Sequence, residues 1–111
     1  MEIINVNEKY RFYIDKKMII NDFIFAELCY VLKRDNYPNP EKFIERFSEF
    51  IVHASPETIN KAMIFRFNNK KKRMSMVDCI SYFMSKELGI KFLTGDKEFK
   101  EMDNVEFVKK D

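Results

Sequence analysis

Apolar residues along this chain alternate between two spacings: stripes recurring every three or four positions, and short runs in which they are contiguous. The stripes predict helices. Phe43, Ile44, Phe47 and Phe50 mark one over residues 41–50, after a proline-bearing break, NYPNP. Ile59, Ala62, Met63 and Phe67 mark another over roughly 56–69, with Ser55 as its cap and Pro56 at the first helical position. Residues 8–17 read as a helix with Val6, Tyr10, Tyr13 and Ile14 near one face. FIFAELCYVLKR, 23–34, is apolar on almost every side and is predicted to be a buried helix capped by Asn21 or Asp22. Ser75 caps a helix over 76–88, with Asp78 three residues on and Gly89 as its stop. The contiguous runs at 18–20, 50–54, 90–94 and 105–108 read as strands, with a short turn of helix from Lys97.

Helices alternating with short strands predict an α/β fold: a single domain, residues 1–111, built on a parallel sheet with right-handed crossovers. Ligands in such sheets sit beyond the carboxyl ends of the strands. Asp96 is predicted at one of those ends, and Glu27 and Asp78 in the first turns of helices opening at the same edge.

Composition narrows the chemistry more than it names it. Hydrophobic residues make up 46% and charged residues 34%, the balance of a globular protein. Twenty Lys and Arg against eighteen Asp and Glu leave a net charge of only +2, so the chain is no polycation. One local run is basic: Lys70, Lys71, Lys72 and Arg73, read either as a solvated loop or as an edge that contacts RNA phosphates. Cys29 and Cys79 form no CxxC pair and sit among apolar residues, as buried free thiols of a reducing cytoplasm do. No apolar run is long enough to span a bilayer, and the first residues do not read as a signal peptide, so a cytoplasmic protein with no membrane partner is expected. Two glycines cannot make a Gly-rich phosphate loop. The single histidine, His53, reads as structural, and no Ser or Cys nucleophile has a visible paired base.

Three carboxylates remain, each with an ordinary explanation. Glu27 lies in the apolar helix and needs a partner, which Arg34 or partial exposure would supply. Asp78, at the third position of its helix, suits capping and the helix dipole, although Ser81, Tyr82 and Ser85 on its face leave room beside it. Asp96 could be a turn residue.

Taken in order, FIFAELCYVLKR, MSMVDCISYFMSKELGI and KFLTGDKEF resemble the PIN-domain family of metal-dependent nucleases, in particular VapC-type toxins. The resemblance spans residues 8 to 108 and is most specific over 75–99. It implies a three-layer PIN-like fold in which Glu27, Asp78 and Asp96 line one pocket and bind Mg²⁺ or Mn²⁺, with Thr94 helping to orient a ligand. It further implies an endoribonuclease acting on RNA, an antitoxin partner and homodimerisation.

The chain departs from the family at its start. The family opens with a strand ending in Asp, commonly D-(T/S)-N, and no such motif is present. Either the first strand is missing, towards which the charged Glu8-Lys9 inclines the reading, or MEII is a shortened strand that sets Asn5 in place of the Asp. An Asn can offer a metal an oxygen but no charge. The resemblance therefore divides between a ribonuclease short of one ligand charge and a non-catalytic PIN domain that binds RNA or protein.

Overall fold

The structure, a computed structural model, describes residues 2–4 and 18–108. The helix expected over 8–17 and the side chain of Asn5 lie outside the described residues. In chain order the elements are β1 (Glu2–Ile4), β2 (Met18–Ile19), α1 (Asp22–Arg34), α2 (Pro40–Ser48), α3 (Pro56–Asn68), a three-ten turn at Lys70–Lys72, α4 (Met76–Glu87), β3 (Lys91–Thr94), a second three-ten turn at Lys97–Phe99, and β4 (Val105–Phe107).

All four strands are parallel, in the order β2-β1-β3-β4. The chain's opening residues thus fill an inner position of the sheet. Ile3 is in register with Ile19 on one side and Phe92 on the other. The sequence inclined towards a missing first strand because Glu8-Lys9 is charged where the family turns apolar; Glu2–Ile4 nevertheless form a strand of three residues. The run at 50–54 is not a full strand: only Ile51 bridges, parallel, to Ile20. Phe50 instead closes the end of α2, its N–H donating to the Phe47 carbonyl.

Caps account for where the helices begin. The Asn21 side chain accepts the N–H of Ile24, Ser55 that of Thr58 and Ser75 that of Asp78. Gly89, at φ +68, supplies the left-handed residue that ends α4. The segment α4 packs on β1 and β3, α3 packs against α4, and α1 against α2. Phe92, Leu93 and Thr94 are all buried, so β3 is covered on both faces, as an inner parallel strand should be. Phe92, Phe99 and Tyr82 meet in an aromatic cluster extended by Phe65 and Phe83. By contrast α1 buries only Ile24 and Leu32, and Tyr30 is 67% exposed. The all-round apolar pattern overstated its burial, because only one side of α1 finds the core.

Candidate active site

In a parallel sheet a helix that leads into a strand starts beside that strand's carboxyl end. The start of α4 and the end of β3 stand in this relation, and it brings Asp78 to Asp96. Asp78 is 6% exposed. Burial pushes its carboxyl up to about 7, reinforced by the charge of Asp96, then by that of Glu27, and by a hydrogen bond to the Asp96 carboxylate; the Ser75 side chain pulls the other way. Glu27 is half-buried on the second turn of α1, and burial raises its pKa as well. The expected pairing with Arg34 is not what Arg34 does: its guanidinium lies on Asp35 at 2.9 Å. Among the described residues Glu27 has no ion-pair or hydrogen-bond partner.

Asp96 is both a turn residue and a neighbour of Asp78. Its Oδ1 accepts the N–H of Glu98 at 3.0 Å, starting the three-ten turn. Its own N–H donates to Thr94 Oγ1 at 3.1 Å. Thr94 is fully buried, so its hydroxyl fixes the backbone that carries Asp96. The other carboxylate oxygen of Asp96 is outside the turn's hydrogen bond.

The polar face of α4 is not the open space that the sequence suggested. Ser81 Oγ donates to the Val77 carbonyl and accepts from Asn21 Nδ2 at 3.0 Å. Ser85 donates to the Tyr82 carbonyl and accepts from Asn104, while the Tyr82 hydroxyl donates to Asp103. These groups tie α4 to the start of α1 and to the turn before β4. Asn21, fully buried and serving at once as cap of α1 and clamp on α4, is the residue that sequence reasoning undervalued. Its signal was present in its place directly after a strand and before a helix.

His53 is exposed and pairs with Asp22, Nδ1 to Oδ1 2.7 Å. Lys70, Lys71 and Lys72 make an exposed three-ten turn, and Arg73 leaves it in the left-handed region at φ 53. Both cysteines are free; Cys79 is fully buried, and burial with the neighbouring Asp78 charge pushes its thiol up to about 11.

The sequence matches the PIN-domain family over residues 5–105. The chain belongs to the PIN-domain family. No curated protein matches it. The fold is shared with solved structures of low identity. One is VapC20 of Mycobacterium tuberculosis, a sarcin-ricin loop cleaving toxin, at a TM-score of 0.75 and 14% identity, covering 99% of this chain and 100% of that one. Another is PAE2754 from Pyrobaculum aerophilum, at 0.62 and 10%, covering 96% and 90%.

Whether this PIN domain's acids suit a divalent cation can be judged from their chemistry. Among the described residues no three His, Cys, Asp or Glu side chains stand close enough to hold one ion between them. Asp78 and Asp96 are in contact, and Glu27 acts on them only through its field. Oxygen donors of this kind fit Mg²⁺ or Mn²⁺, which bind through few carboxylates and keep several waters. Burial raises the Asp78 carboxyl to about 7, and the charges of Asp96 and Glu27 add to the shift; that second part marks a place where positive charge is favoured.

Proposed function

We propose that this PIN domain is built as a metal-dependent endoribonuclease of the toxin type, with Asp78 and Asp96 as the acids that would hold Mg²⁺ or Mn²⁺ and Glu27 adding its negative charge to the same site. The observation that carries the reading is the buried Asp78 carboxyl, raised to about 7 with Asp96 and Glu27 among the causes. A divalent ion at such a site supplies an activated water and neutralises charge on a phosphodiester. The chain's own residues supply the setting. Asp78 keeps a proton beside Asp96, one that a bound cation would replace, and the buried Thr94 hydroxyl holds the Asp96 backbone. The Asn21–Ser81 bond locks the starts of α1 and α4 together, and so fixes Glu27 relative to Asp78.

Asn5 supports a second reading. It follows β1 directly, where the family's first acid stands, and it brings no charge. At about 4 Å and an effective dielectric near 20, a full ligand charge is worth several kcal/mol to a divalent ion. On this reading the protein is a non-catalytic module that binds RNA or an antitoxin protein. An antitoxin partner, homodimerisation and a cytoplasmic location belong to both readings. Two free cysteines support the last, and among the described residues no helix is long and apolar enough to cross a membrane.

Cleavage of single-stranded RNA with Mg²⁺ or Mn²⁺ tests the proposal. The unmodified chain should cleave weakly or not at all. Asn5→Asp should raise metal affinity and cleavage together, and adding Asp96→Asn should abolish the gain. Robust cleavage by the unmodified chain that persists in Asp96→Asn would mean that these acids are not the site.

A further inference from the structure

A cleft of about 400 Å³ lies between the end of α3, the basic three-ten turn and the segment leading into α4. Its walls are Met63, Arg66, Phe67, Lys70, Arg73 and Met74. Three of the six are cations and none is an acid. Among the described residues no carboxylate forms an ion pair with Arg66, Lys70 or Arg73. In a chain whose net charge is only +2, five positive side chains fall between Arg66 and Arg73. Phe67 is 69% exposed, far more than burial of an aromatic ring would favour, and the Lys70 ammonium sits 5.1 Å from its ring centre.

We propose that this cleft is a subsite for single-stranded RNA flanking the point of cleavage, with Phe67 stacking on a base and Lys70 and Arg73 holding the adjacent phosphates. The inference rests on the RNA reading above and adds where the strand runs. An exposed aromatic face among unpaired cations is the combination with which proteins hold single strands, the ring taking a base and the cations the backbone. The volume lies within the ~300–1,000 Å³ of ordinary ligand sites, with Met63 and Met74 as an apolar wall. Its position fits as well. Met74 is followed at once by Ser75, the cap of α4, whose oxygen accepts the N–H of Asp78. Arg66 Nε donates to the Met74 carbonyl at 2.9 Å. Cations on the cleft wall thus lead directly into the helix that carries Asp78, where a polyanion bound beside carboxylates most needs them.

The test is binding, measured by fluorescence anisotropy in chelator, so that neither metal nor cleavage enters. The probe is a fluorescein-labelled single-stranded RNA of mixed sequence, about a dozen nucleotides long. Lys70→Gln with Arg73→Asn, the Asn chosen because it tolerates a positive φ, should weaken binding and lower the slope of log affinity against log salt by about 1.4, roughly 0.7 for each phosphate contact. Phe67→Ala should weaken binding about tenfold with the slope unchanged. Lys61→Gln, which loses only an exposed pair with Glu57 on the same helix, should bind as wild type does. The proposal is overturned if wild type does not bind at low salt, if the cleft variants bind as wild type does, or if duplex RNA competes as well as the single strand. It is also overturned if a hexaglutamate peptide binds wild type and not the variants while their RNA binding is intact, since the cleft is then a protein-docking site. No gain of cleavage in Asn5→Asp with these binding differences intact would sink only the catalytic reading, and the reverse pattern only the subsite.

Discussion

At the scale of single residues, Asp78 decides most. An ordinary Asp titrates near 3.8, and this one is pushed up to about 7. The folded state therefore holds a proton that the unfolded chain has released, and the stability this group contributes is present in full below about pH 4. It is lost as pH rises through about 7. Ionising Asp78 in place costs roughly 4 kcal/mol as an upper figure. Asp78→Asn should accordingly stabilise the metal-free protein by up to a few kcal/mol at about pH 8 and by little at about pH 4. Urea unfolding at both pH values checks this, and identical pH profiles for wild type and variant would contradict it. Asp78 and Asp96 were legible as a pair because their motifs mark a helix start and a strand end, which a parallel sheet must bring together. Glu27 was legible only as an oddity, a charge in an apolar helix, and its partial burial depends on how α1 seats on the core. Asn5 lies outside the described residues, so its part in the site rests on order in the sequence.

The elements of this fold are set by caps that can be read directly from sequence, and their tests are correspondingly local. Asn21→Ala removes a buried cap and the bond to Ser81. It should cost about 1–2 kcal/mol, and cleavage by the Asn5→Asp form should fall with it, since the starts of α1 and α4 lose their tie. Gly89→Ala meets nothing within 4 Å, so its whole cost is the left-handed backbone at φ +68, about 1–2 kcal/mol in chemical denaturation. A neutral result would mean that α4 ends in another conformation. Local signals of this kind placed all four described helices to within one or two residues. They failed where the outcome is tertiary. Residues 50–54 have strand-like side chains but meet the sheet only through Ile51, and α1 looks buried all round yet exposes Tyr30. Ser81, Tyr82 and Ser85 looked like open space beside a carboxylate because sequence cannot show that Asn21, Asp103 and Asn104 already bond them.

For the whole molecule, the sheet is joined through a strand of only three residues. Glu2–Ile4 lie between β2 and β3, so the parallel sheet is continuous only through three residues at the beginning of the chain. Backbone amides at Ile3 and Ile4 should exchange as slowly as those of Phe92 and Leu93, and fast exchange confined to residues 2–4 would contradict the strand order. That sheet also brings Asp78 and Asp96 from separate segments to one edge, where a cation binding only the folded state would stabilise it. Binding must displace the proton on Asp78, so affinity should rise with pH from about 6 to 8. The most direct measurement is thermal unfolding at about pH 8, in chelator and then in millimolar Mn²⁺, for wild type, Asp78→Asn and Asp96→Asn. One shared, electrostatically crowded site predicts that Mn²⁺ raises the midpoint of wild type, that either substitution removes most of the rise, and that Asp78→Asn in chelator melts above wild type. A midpoint indifferent to Mn²⁺ in wild type, or an equal rise in all three proteins, would contradict it.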